Sequence, residues 1–100
     1  MGAYYFQVFS PVLDVAEAFN VLTQQARWKN GHGGYTGTIA EKNDYETVSE
    51  QPIVKQEVDD WVTRYGIQHD HDKWGPAWHV PVCDKDGKLI GHLFFGYASS

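Results

Sequence analysis

The sequence predicts an α+β domain in which two helices pack on one face of a small, mostly antiparallel sheet, in the order β-α-β-β-α-β-β. Three observations lead there. Two stretches repeat apolar residues at three- and four-residue spacing. Several short runs of β-branched and aromatic residues are bounded by turn residues. A length of 100 residues suits one hydrophobic core, so residues 1–100 form a single domain.

The first strand is Tyr4 to Phe9, where Gln7 is the only polar side chain, and Ser10-Pro11 breaks it. Asp14 with Glu17 three residues later starts a helix in the manner of a capping box. Val15, Ala18, Phe19, Leu22 and Ala26 form its inward stripe, and Asn30-Gly31 supplies a left-handed stop. A glycine segment follows. Tyr35 to Glu41 then reads as a strand, Lys42-Asn43-Asp44 as a turn and Tyr45 to Val48 as a short returning strand. Ser49 to Pro52 opens the second helix, with proline tolerated in the first turn. Val54, Val58, Trp61, Val62 and Tyr65 are its buried stripe, and Gly66 closes it.

After a polar, aromatic loop from Ile67 to Pro76, the chain ends in a hairpin of Ala77–Cys83 and Leu89–Tyr97. A turn with Gly87 in the bulge position pairs Asp84 with Lys88 and turns the Pro81 nitrogen outward, as an edge strand tolerates. That register puts His79 and His92 on opposite faces, which weakens any two-histidine site built from this hairpin. The last strand is apolar on both faces. With both helices on one face, the other needs a cover, and a second copy of the chain supplies it. A homodimer through the sheet face of Leu89–Tyr97 is therefore expected.

Composition narrows the function. Net charge is −5 and the eight Lys and Arg residues are scattered, which argues against a duplex nucleic-acid binder. A lone Cys83 excludes a disulfide framework and points to a reducing compartment. No apolar run reaches membrane length and no basic leader precedes one, so a cytoplasmic protein is expected, without membrane association. Gly2 lacks the downstream hydroxyl of a myristoylation start, since Phe6 stands there. Aromatics reach 15%, more than a core of this size needs, so some should mark a binding face.

The candidate site gathers around Gly31 to Ile39. Glycines leading into a helix N-terminus cradle phosphates. Here a helix ends and the glycines lead into a strand, with no Gly-Lys-Ser/Thr, so a nucleotide triphosphatase loop is excluded. What stays open is a helix stop whose exposed N–H groups hold a small anion. His32, Gly33, Gly34, Tyr35, Thr36 and Thr38 are the ligand-binding candidates there. His71, Trp74 and His79 are the candidates around the rigid Trp74-Gly75-Pro76 turn, where a ring stacks. His69 and His71 form a His-X-His pair but lack a third ligand fixed by spacing, so they are weak metal candidates and no cofactor is expected. None of the histidine elements carries the hydroxyl of a two-histidine phosphoesterase. Cys83 beside Asp84 lacks an activating base, so no catalytic residue is assigned.

Gly34-Tyr35-Thr36-Gly37-Thr38-Ile39, the Trp74-Gly75-Pro76 turn and the ending Leu93-Phe94-Phe95-Gly96-Tyr97-Ala98-Ser99-Ser100 resemble a group of small uncharacterised proteins common in bacteriophage genomes. The resemblance implies a phage-type protein acting in the bacterial cytoplasm and carries over no functional residue. The expected function is a non-enzymatic binding protein, a host-defence antagonist that sequesters a nucleotide-like ligand. The first alternative is an inhibitor or adaptor docking on a host protein through aromatic surface. The second is a histidine- or metal-dependent phosphoesterase using His69, His71 and His79.

Overall fold

The computed structural model describes residues 3–30, 39, 42–68 and 75–99. Its elements are β1 (Ala3–Ser10), α1 (Val15–Asn30), β2 (Tyr45–Thr47), β3 (Ile53–Val54), α2 (Lys55–Gln68), β4 (Ala77–Cys83) and β5 (Leu89–Ser99). The α+β class holds: two helices pack on one open, mixed sheet of five strands. Its order is β1-β5-β4-β2, with β3 continuing the β2 edge alongside β4. β1 and β4 flank β5 antiparallel, while β2 and β3 run parallel to β4.

The helices do not share a face. Ala18 and Phe19 of α1 are buried with Phe6, Ala77, Phe94 and Ala98. Val58 and Val62 of α2 are buried with Trp78, Val80, Val82, Leu93 and Phe95. Adjacent residues of a strand point to opposite faces, so Phe94 and Phe95 belong to different cores, one under each helix.

Topology supplies the reason. β1 is parallel to β2, being two antiparallel steps and one parallel step away, so α1 is a crossover running from one edge of the sheet to the other. α2 joins parallel β3 to β4 and runs back in the opposite direction. Crossovers of the single hand that such connections almost always take place their helices on opposite faces when they run in opposite directions. The expected antiparallel return of the 45–48 strand concealed this. The chain's own helices thus cover both faces of β5, which removes the ground for a dimer through that strand's face.

Other boundaries differ for local reasons. Asp14 caps α1 as expected, its Oδ1 accepting the N–H groups of Ala16 (3.0 Å) and Glu17 (3.4 Å). α2 begins after Pro52, because Ile53 and Val54 first pair with Val82 and Cys83 as β3. Gly66 lies inside α2 rather than at its end; it is buried where an added Cβ would meet Tyr97 and Tyr5 at 3.6 and 3.9 Å. Of the expected 35–41 strand only Ile39 is described. It is buried in a tight turn, its carbonyl accepting the Lys42 N–H at 2.9 Å.

The hairpin departs from its expected register in one residue. Asp84 pairs with Lys88 as read, with N–H to carbonyl 2.9 Å, and Cys83 faces Leu89. Val82 then faces Gly91, leaving Ile90 as an extra residue on β5. Beyond this bulge Pro81 faces His92 and His79 faces Phe94, so the two histidines come to one face. Pro81 sits in a central strand, not an edge. Its neighbours Ala77 and His79 turn their main-chain groups toward β2, bonding Asp44 and Val48. Pro81, two residues on, turns its nitrogen the same way, into the gap between Thr47 and Ile53 where no N–H is called for.

Candidate functional site

Three arrangements of chemistry-bearing side chains lie within the described residues. The first is buried. Thr47 Oγ1 lies 2.8 Å from His79 Nδ1, His79 Nε2 lies 2.8 Å from His92 Nδ1, and His92 Nε2 lies 2.7 Å from the Leu13 carbonyl oxygen. Both rings are nearly inaccessible, His79 at 3% and His92 at 5%. Tyr45 meets His79 edge-on at 5.7 Å and Phe94 lies against it at 5.0 Å.

The end of the chain fixes every proton in it. A carbonyl oxygen only accepts, so His92 Nε2 carries the hydrogen. Neutral His92 then presents a bare Nδ1, which accepts from His79 Nε2–H. His79 in turn accepts the Thr47 hydroxyl at its own bare Nδ1. All three bonds run in one direction, from exposed Thr47 on the sheet edge to the turn before α1. Burial, and secondly the neighbouring His92, lower the His79 pKa to about 4, in keeping with a neutral ring. One extra proton, placed on His79 Nδ1, makes that ring an imidazolium that donates at both nitrogens, after which the Thr47 oxygen accepts instead of the hydroxyl donating. A second proton would set two N–H groups head to head. The pair is a saturated polar plug: among the described residues no buried side-chain nitrogen or oxygen lacks a partner.

The second arrangement lies on α2. Trp61 and Tyr65 stack with ring centroids 5.6 Å apart and planes 9° from parallel. With Arg64 and Gln68 they line a recess of about 240 Å³ at the end of the helix. Helical spacing brings these four side chains to one stripe. The inner edge of Tyr65 is fixed by Trp78 at 5.0 Å and Phe95 at 5.8 Å, both edge-on, so the stack is anchored in the core.

The third lies on the outer side of α1, where Val21, Gln24, Gln25, Trp28 and Lys29 line an open groove of about 610 Å³. Trp28 is 89% exposed, the most exposed large apolar side chain described.

Of the residues expected at a site, His79 is described, and it lies inside the domain with both nitrogens engaged by Thr47 and His92. His32, Gly33, Gly34, Tyr35, Thr36, Thr38, His69, His71 and Trp74 lie outside the described residues. Their downstream flanks do meet. The Lys42 ammonium, 2% exposed, donates to the Gly75 carbonyl at 2.7 Å, and Arg27 Nη2 donates to the Lys42 carbonyl at 3.3 Å. Read as turn chemistry, Lys42 instead ties together the points where both segments rejoin the sheet. Sequence reasoning missed it, because a lysine in Lys-Asn-Asp carries the signature of a solvated turn. It missed the Trp61–Arg64 recess because Trp61 and Tyr65 were assigned wholly to the core; the Trp-x-x-Arg-Tyr-x-x-Gln spacing was the available signal.

Among the described residues no group of three His, Cys, Asp or Glu side chains is placed to hold a metal ion, and no helix is long and apolar enough to cross a membrane. The fold and these surfaces define a small α+β protein with one helix on each face of a mixed sheet. Comparison with protein-family models, with curated proteins and with solved structures finds no match.

Proposed function

We propose that this chain is a non-enzymatic binding protein that captures a small, planar, anionic molecule of the nucleotide class on the α2 recess. The observation carrying this reading is the Trp61–Tyr65 stack, anchored from below and flanked by Arg64 and Gln68. A ring stacks on the indole, the guanidinium takes the phosphate, and the Gln68 amide bonds an edge of the base. A recess of about 240 Å³ suits a base rather than a whole dinucleotide. The phage-type resemblance supplies the setting: a protein in the bacterial cytoplasm that withdraws a host signalling nucleotide and so antagonises host defence. Capture fits better than turnover, since the buried histidines are closed on each other.

Thermal denaturation with mono-, di- and cyclic nucleotides tests this. Saturation at ~100 times the dissociation constant stabilises the fold by about 2.7 kcal/mol, an upward shift of several degrees. Arg64→Ala should abolish the shift while the ligand-free protein melts as before, and Trp61→Ala, which also loses packing against the core, should abolish it from a lower starting temperature. No shift with any nucleotide at millimolar concentration rejects the reading.

A second reading has its own observation, the 89% exposure of Trp28 beside Lys29 on the α1 groove. In it the chain docks on a host protein through α1, with Trp28 as the anchor. Tagged protein should then retain one stoichiometric bacterial partner that Trp28→Ala loses; equal recovery by both proteins eliminates it.

A further inference from the structure

The two edges of the sheet are built differently. One is β2 and β3, three and two residues long, interrupted between them and flanked by Asp44, Glu46, Glu50 and Pro52. Short strands, charges, prolines and interruptions keep an edge from pairing with other chains. The other edge is β1, eight residues reading Ala-Tyr-Tyr-Phe-Gln-Val-Phe-Ser. It carries no charge and no proline, and it pairs with β5 from Ala3 to Ser10 without a bulge. Among the described residues no main-chain group other than those of β5 bonds to it, and the N–H and C=O groups of its outer side have no main-chain partner there.

From this edge we infer that two copies of the chain join by antiparallel pairing of β1 with β1, about a two-fold axis through Gln7. Directly opposed residues of an antiparallel pair lie on the same face, which fixes what meets what. Tyr5 faces the partner's Phe9, Phe6 faces the partner's Val8, and Gln7 faces its own counterpart. Tyr5 and Phe9 are 41% and 38% exposed in the single chain although both are large, and this register covers each ring with the other. Phe6 and Val8, already part of the α1-side core, continue that core across the junction.

Charge agrees with the same register. The Lys55 ammonium lies 6.0 Å from the centroid of the Phe9 ring, and Asp59 accepts a 2.6 Å bond from the Gln7 amide, next to Tyr5. Setting Phe9 opposite the partner's Tyr5 brings Lys55 toward the partner's Asp59, twice by symmetry. A second copy therefore fits this edge in hydrogen bonding, ring cover and charge together, and the interface is isologous and closed. The proposal is independent of the nucleotide reading, since neither the α2 recess nor the α1 groove uses β1.

Sedimentation equilibrium of the full chain should show a monomer–dimer equilibrium in the micromolar range. The double variant Tyr5→Lys with Phe9→Lys opposes two lysines at each end of the pairing and should weaken the dimer more than tenfold. Gln7→Cys tests the register by itself, at one exposed position. Opposed Cβ atoms about 4.5–5.5 Å apart lie just beyond the span of an unstrained disulfide, so a short bifunctional thiol reagent should cross-link this variant and leave Gln51→Cys without a cross-link. A native chain that stays monomeric through the micromolar range overturns the inference. So does a dimer that survives the double lysine variant, or a Gln7→Cys protein that fails to cross-link.

Discussion

The two faces of this sheet are one residue apart along every strand and yet are different solvents. On the α2 face the buried side chains are aliphatic and aromatic: Val58, Val62, Val80, Val82, Leu93, Phe95 and Trp78. On the α1 face, Phe6, Phe19 and Phe94 share their layer with two imidazoles and a chain of hydrogen bonds that spans the β1–α1 turn, β5, β4 and β2. The dry face gains from area removed from water and is indifferent to direction. The α1 face adds directional bonds that specify which strand lies beside which, at the cost of desolvating two titratable rings. Stability and specificity are thus partly separated between two cores of one small domain.

The largest effect should come from the rings that divide the cores. Phe94→Ala and Phe95→Ala each empty a fully buried site and should cost roughly 3–5 kcal/mol in urea or thermal denaturation. Similar losses mean that both faces are closed cores; a small loss for Phe94 would mean that the polar face carries little packing energy. Next in size is His92→Ala, which strands the His79 N–H and the Leu13 carbonyl and should cost about 2–3 kcal/mol. Restoring an amide with His92→Gln should recover a good part of that, because Gln both accepts and donates.

The effect that tells the faces apart is the one that depends on pH. His79 is lowered to about 4 in the folded chain against 6.5 for the free side chain. The unfolded state therefore takes up the proton first as pH falls. The contribution is fully present above pH 6.5 and is lost progressively down to about pH 4, on the order of 3 kcal/mol in all. Denaturation of native protein and His79→Gln at pH 7 and pH 4 isolates it as a difference in slope. Identical pH dependence in the two proteins would mean that the plug does not resist protonation.

Much of this fold was legible in the sequence. The hydrophobic stripe and Asp14 cap of α1, the aromatic β1, and the hairpin with its Asp84–Lys88 turn follow from local periodicity and turn chemistry, and all are present. The side on which each helix packs was not legible. It depends on the direction of β2, and Tyr45–Thr47 is too short to reveal whether it returns or crosses over. The histidine plug was misread for a related reason. Alternation assigns His79 and His92 to opposite faces unless one residue is inserted between them and the turn, and nothing in Leu-Ile-Gly-His announces such an insertion except the glycine. Trp61 and Tyr65 were correctly placed against the core, but not their second role, because a stripe pattern cannot show which edge of a ring stays outside.

That inserted residue has a consequence for how this protein tolerates change in length. Ile90 sets the parity of β5. Were Ile90 instead paired with Val82 in an unbroken register, Leu93, Phe95 and Tyr97 would move under α1, while His92 and Phe94 would face α2, exchanging the contents of the two cores with the composition intact. The position of the offset is marked by Gly91, where a Cβ would stand 2.2 Å from the Ser10 carbonyl oxygen and 2.6 Å from Cζ of Phe9. Only a residue without a side chain passes there. Gly91 and Ile90 act together as a frame mark. Deletion of Ile90 would close the offset and keep Val82 opposite Gly91, whereas a single residue added or deleted between His92 and Phe95 would turn the rest of the strand inside out; changes within Lys85–Gly87 that keep Asp84 opposite Lys88 alter only the length of a surface turn.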